Sequence, residues 1–223
     1  MQHQRLTKDR LKNHWHYGKW AYIVIALCTF FLGSMAFDMS RYQSPRERTV
    51  EFQMVTVLPG TIDAGNELAA SLLPAGQAFD PTLEEVSMQY LMFSGDGEAD
   101  PYGLQKYVTY LHAGVGSVYI LPQNLMEQLV GLDGATPLDG YIESGVIKAE
   151  GLDLSTCTLP APDEDGNPTD QLHIYAIPCT GMDRFKQPDI GINADNMYMA
   201  ILSSCPNPDT AAFVMQLLRD AAM

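Results

Sequence analysis

Asp96-Gly97-Glu98-Ala99-Asp100 sets three carboxylates at alternate positions, a spacing with which a loop can offer oxygen to a hard cation. Pro101 stands where a calcium loop needs glycine, and no acid occupies the twelfth position, so the run reads as a solvated acidic loop. Asp163, Glu164, Asp165, Asn167 and Asp170 gather oxygen at a second place, where turn formation explains them without metal. Gln123 and Asn124 follow an apolar run and begin a helical pattern; free N–H groups at a helix start attract anionic groups. His14 and His16 lack a third metal ligand, His112 falls at a helix end, and His173 alternates along a strand-like run. No serine sits in a G-x-S-x-G turn. No metal, cofactor or enzymatic activity is expected; a small hydrolase is the weakest of the functional alternatives.

Cys157, Cys179 and Cys205 lie far from Cys28, which falls inside an apolar stretch behind Leu27, where a lipoprotein signal needs a small residue. Three cysteines allow one bridge and one thiol, or three buried thiols. Cys157 and Cys179 flank a hairpin signal and form the favoured pair. None has an evident activating partner, so no catalytic role is expected.

The apolar stretch is residues 20–37 (WAYIVIALCTFFLGSMAF), uncharged and long enough to span a bilayer core as a helix. Arg5, Lys8, Arg10, Lys12 and Lys19 precede it against a single acid, Asp9, which predicts a cytoplasmic N-terminus and an exterior remainder. Trp15, Tyr17, Trp20 and Tyr22 suit the headgroup region at its entry. Ser34-Met35-Ala36 would also serve a signal peptidase, but the basic region and apolar run are long for a signal. A retained anchor is the expectation, with the bilayer as partner through residues 20–37.

Charge divides at the same place. Residues 1–48 hold eight basic and three acidic side chains, net +5, and residues 49–223 hold five and 24, net −19. Such an acidic body is repelled by phosphate backbones, which excludes nucleic acid as a partner. The division predicts a basic cytoplasmic segment 1–19, the span 20–37, a tether 38–49 and an extracytoplasmic domain 50–223.

Within that domain, elements alternate. Residues 50–58 (VEFQMVTVL) read as a strand stopped by Pro59-Gly60, and Asp63 can cap a helix over 63–73. Residues 86–93 form the next strand, Asp100-Pro101 open a helix to about His112, and 117–121 (SVYIL) make a short buried strand. Pro122-Gln123-Asn124 start a third helix to about Val130. This alternation predicts an α/β domain with a parallel sheet and helices on its faces. Beyond it, residues 142–147, 152–159 and 171–177 read as strands added to make the sheet mixed. Asp165-Gly166-Asn167 signal a hairpin, and 197–203 and the segment after Asn207 supply a last strand and a closing helix.

The order of these pieces resembles the N-terminal lobe of extracellular solute-binding proteins of bacterial ABC importers. The resemblance rests on Ala113-Gly114 ending a helix, the strand 117–121, the helix 125–130, and Gly134-Ala135-Thr136-Pro137-Leu138-Asp139. The run 173–178 (HIYAIP) is similar to the strand by which that family's chain leaves its first lobe, and 198–218 to its late strand and returning helix. In that family a whole second lobe follows the departing strand. Here only residues 179–197 do, too few for an independent core. The resemblance therefore implies a one-lobed, membrane-anchored relative of the periplasmic-binding fold, contacting a small solute or an envelope protein such as a transporter permease. A structural or regulatory envelope protein without a ligand is the alternative.

Ligand-binding positions follow from the rule that open α/β sheets bind at the carboxyl ends of their strands. They are Gln123, Asn124, Asp96 beside Gly95, and Tyr175. Residues 179–197 are expected to cross back over the sheet without strands, leaving a face lined by Tyr175, Met182, Phe185 and Met197 open to a protein partner.

Overall fold

The computed structural model describes residues 8–40, 42–56, 62–93, 101–163 and 166–223. The chain divides into two units, Met1–Gln43 and Ser44–Met223. In the first, α1 (Lys8–Ser40) runs unbroken through the basic segment and past the apolar stretch. Its portion Lys19–Phe37 has a mean hydropathy of 1.9 and none of it is buried. By length and composition this helix can cross a membrane, and a signal sequence has the same character.

In the second unit, a five-stranded mixed sheet has the order β2-β1-β3-β7-β6. The strands are β1 (Thr49–Thr56), β2 (Glu85–Met92), β3 (Val118–Pro122), β6 (Ala176–Pro178) and β7 (Met197–Ile201). β4 (Thr158–Pro162) and β5 (Pro168–Ile174) form a separate antiparallel pair closed by the expected turn, where Asp163 N–H donates to Asn167 O at 2.8 Å. β2, β1 and β3 run parallel, whereas β7 is antiparallel to both β3 and β6.

β1 (TVEFQMVT) is apolar on both faces because both are covered. Val50, Phe52 and Met54 point one way and Gln53 and Val55 the other, and all five are buried. The first face receives α2 (Ile62–Ser71), α3 (Leu73–Phe79) and the long α7 (Pro208–Ala222). Gly65 of α2 sits against Met88 and Tyr90, and Gly76 of α3 against Leu83 and Val214 of α7. Phe79 stacks flat on Phe213, ring centres 4.4 Å apart. On the opposite face, Tyr107 of α4 (Pro101–His112) meets Tyr119 of β3 edge-on at 6.0 Å and donates its hydroxyl to Leu125 O of α5 (Gln123–Gly131) at 3.1 Å. At the β2 edge, Asn66 Oδ1 of α2 accepts the outward Met88 N–H at 3.0 Å, which blocks that position to an added strand.

The alternating strands and helices of the first half stand as the sequence predicts. The later additions differ. Residues 142–147 are no strand: α6 (Asp139–Glu143) and a turn occupy this stretch, with Tyr141 and Ile142 N–H both donating to Leu138 O. Of the strand expected over 152–159, only the end joins β4. The strand expected over 171–177 divides at Tyr175, where Tyr175 N–H donates to Cys157 O beside the hairpin and pairing passes to β7 from Ala176 on. A second helix, α3, follows α2 because Pro74 suits a helix's first turn.

Residues 179–196 carry a short 3-10 turn (Asp183–Lys186) and no strand, and Met197 begins β7. They join neighbouring strands, β6 and β7, rather than crossing the sheet. Tyr175, Met182, Phe185 and Met197 are all buried, so the open apolar face expected of them does not exist.

Asp80, just past α3, ties that helix to α7. Its carboxylate accepts from Thr82 N–H at 2.9 Å, Thr82 Oγ1 at 2.7 Å and Thr210 Oγ1 at 2.8 Å. These bonds favour the ionised form and hold its pKa below the ordinary carboxylate value. A depressed folded-state pKa gives stability that is complete above about pH 4 and lost as pH falls through the folded value. Because solvent screens the site, Asp80→Ala should cost about 1 kcal/mol or less at pH 7 and less at pH 2. Urea midpoints at the two pH values measure this, and an equal cost at both would refute the linkage.

Candidate functional site

The path of the chain through the parallel strands sets a topological switch point at one end of the sheet. From β1 it moves to β2 through α2 and α3 on one face, then back past β1 to β3 through α4 on the other. Connections that leave adjacent strands toward opposite faces part above the carboxyl ends of β1 and β3, where open α/β sheets take ligands. The segments 57–61 and 94–100, which follow β1 and β2 there, lie outside the described residues. So do Gly95 and the expected site residue Asp96.

Gln123 and Asn124 stand at this edge, exposed, as the first two residues of α5. Pro122 ends β3 opposite Met197 and serves as the helix N-cap, with φ −68° and ψ 162° and no side-chain capping bond. The first-turn N–H groups therefore lack an intrahelical acceptor and a cap. Gln123 Nε2 donates to Glu127 Oε1 at 2.8 Å, holding the side chain along the helix. This end can offer backbone donors and an amide to an acceptor group.

Tyr175 is not part of that edge. Ala176 pairs with Ala200 and Ala200 with Tyr119, so Tyr175 lies level with the beginning of β3. Five residues of strand, about 16 Å, separate that level from Gln123. It is buried, and its pKa is raised by desolvation and by Asp133 and Asp139 nearby. Its neighbour is a pair sequence reading did not join: His173 Nδ1 lies 3.0 Å from Asp139 Oδ2, while Asp139 Oδ1 accepts Ile174 N–H at 3.4 Å. With Leu138 N–H donating to Ile174 O, these contacts fasten the start of α6 to β5. Asp139 and His173 are 34 positions apart, and the contacts at Leu138 and Ile174 bring them together.

Cys157, Cys179 and Cys205 are buried free thiols, so the favoured Cys157–Cys179 bridge is not formed. Cys157 O accepts Tyr175 N–H, and Cys179 follows four residues on, past the joint at which the chain changes sheet. Desolvation pushes Cys157 up to about 11 and raises Cys179 and Cys205 as well, which withholds the nucleophilic thiolate.

No family model matches the sequence, and no curated protein matches it. Among solved structures, the chain is similar in part to an extracellular solute-binding protein family 1 from Alicyclobacillus acidocaldarius, at 15% identity and TM-score 0.32, over 59% of this chain and 28% of that one. It is likewise similar to the ABC substrate-binding protein Lmo0181 from Listeria monocytogenes, solved in complex with cycloalternan, at 14% identity and TM-score 0.31, over 57% and 28% of the two chains. For the sugar-binding protein MalE from Xanthomonas citri the values are 19% identity and TM-score 0.31, over 57% and 28%. The matched part thus spans little more than a quarter of each of those proteins.

Proposed function

We propose that this chain is a membrane-anchored, extracytoplasmic, solute-binding-like module without catalytic activity. The observation that carries this reading is the parallel order β2-β1-β3 with its helices leaving to opposite faces, a switch point at which we place a binding crevice beside Gln123 and Asn124. The exposed apolar helix after a basic segment supports an anchor with its N-terminus inside. The buried, high-pKa thiols support a non-enzymatic role. No second lobe faces this end of the sheet among the described residues, which suits reversible contact with a small solute more than enclosure.

A thermal-shift panel of sugars, peptides and amino acids on the full chain in maltoside micelles tests the reading. Ligand at a hundred times its Kd adds about 2.7 kcal/mol, or roughly 5–10 °C in a domain of this size. One class should raise the midpoint, and Gln123→Ala with Asn124→Ala should reduce the rise. An unmoved midpoint across the panel removes the solute reading in favour of a structural or regulatory envelope role. Orientation is tested separately. External protease on intact cells should remove the acidic domain and spare an N-terminal tag, and loss of the tag would reverse the topology.

A further inference from the structure

A cavity of about 280 Å3 opens where α3, α6 and α7 meet, lined by Phe79, Gly140, Tyr141, Ser144, Val146 and Asp209. It lies on elements other than those that carry Gln123 and Asn124 and does not depend on the crevice reading. Phe79, backed by its stack on Phe213, is 45% exposed and offers its free ring face. Tyr141 supplies a second aromatic wall and donates its hydroxyl to Asp209 Oδ1 at 2.9 Å. Ser144 Oγ is turned back on Tyr141 O at 3.2 Å, and nothing lies within 4 Å of where a Cβ of Gly140 would stand. Asp209 Oδ2 accepts from no described group, and no basic side chain lines the cavity.

A carboxylate at the rim, two ring faces and an apolar floor, with no positive charge of their own, describe a receptor for a cation that carries carbon. We infer that this cavity binds a small organic ammonium ion, its charge against Asp209 and its alkyl groups against Phe79 and Tyr141. An inorganic cation would forgo the apolar walls, and a neutral solute would forgo the charge of Asp209, whose Oδ2 has no donor among the described residues. Burial and the bond to Asp209 push the Tyr141 hydroxyl up to about 12, so Tyr141 stays a donor and Asp209 an acceptor near neutral pH. The domain's net charge of −19 draws cations toward it from a distance.

Titration of the full chain in maltoside micelles with choline, followed by calorimetry, tests the site. Saturable binding is expected, with 3,3-dimethylbutanol, the uncharged isostere, at least about tenfold weaker. Asp209→Asn keeps an acceptor for Tyr141 and should weaken choline about tenfold or more. Phe79→Leu keeps an apolar wall without the ring and should weaken it several-fold. Gln123→Ala with Asn124→Ala should leave choline binding unchanged, which separates this site from the strand-edge crevice. A short-chain phosphatidylcholine below its micelle concentration distinguishes sources: binding tighter than choline marks a lipid headgroup, and weaker binding marks a free solute, either upholding the site. No saturation by choline, equal binding of the isostere, or an unaffected Asp209→Asn variant overturns it.

Discussion

Gly116→Ala should destabilise the acidic domain by about 3 kcal/mol or more, roughly 10 °C in thermal midpoint. Gly116 has φ +86°, a conformation that costs other residues about 1–2 kcal/mol. A Cβ there would also come within 2.6 Å of Gln53 Cγ and 3.2 Å of Tyr119 Cε2, both in buried side chains. Neither neighbour can yield easily. Gln53 is held by Nε2 donating to Glu51 Oε1 at 2.9 Å, and Tyr119 by its hydroxyl donating to Val115 O at 2.8 Å. Overpacking of this kind adds about 1–3 kcal/mol, a large part of a total stability of about 5–15 kcal/mol. In a Gln53→Ala background the closer contact should vanish while the Tyr119 contact and the backbone penalty persist, so the same substitution should cost about half as much. A midpoint within 2 °C of the parent would refute the account.

Tyr175→Ala should cost about 3–5 kcal/mol, whereas Gln123→Ala and Asn124→Ala should each stay within about 0.5 kcal/mol. All three positions were candidates for ligand contact on sequence grounds, and the structure gives them opposite physical roles. Tyr175 is buried at the joint where the chain passes from the hairpin to the sheet, its ring 6.2 Å from that of His173. Removing it leaves a cavity at the joint between the hairpin and the five-stranded sheet. Gln123 and Asn124 are exposed at a helix start and touch little else. Chemical denaturation of the three variants measures the contrast. A Tyr175→Ala protein as stable as the parent would return Tyr175 to the list of surface contacts.

The first half of the domain was legible because each element there carries one dominant signal. Val50, Phe52 and Met54 announce a buried strand, and Pro101 and Gln123 each stand at the first turn of a helix. The second half was less so, for a physical reason. Residues 171–177 read as one alternating run, yet alternation does not say which partner each residue meets, and the run serves two sheets. Residues 142–147 are apolar at both ends and β-branched, but the bonds to Leu138 O decide for a helical turn, and propensity cannot show them. The exposed position of Gln123 and Asn124 at the start of α5 followed from strand order alone. Tyr175 did not, because level along the sheet depends on long-range register. The cavity between Phe79, Tyr141 and Asp209 joins residues up to 130 positions apart and left no local mark.

The sheet order also dictates when the domain can finish folding. In the described sheet β6 pairs only with β7, yet β7 comes later in the chain by the whole 179–197 excursion. While the chain emerges from the ribosome, Ala176–Pro178 has nowhere to pair until Met197–Ile201 has docked on Val118–Pro122. At about 5–20 residues per second that wait lasts roughly 1–4 s. The three parallel strands can assemble meanwhile. The newborn protein therefore passes through a stage in which β3 is a bare sheet edge, the interval in which a chaperone has most to shield.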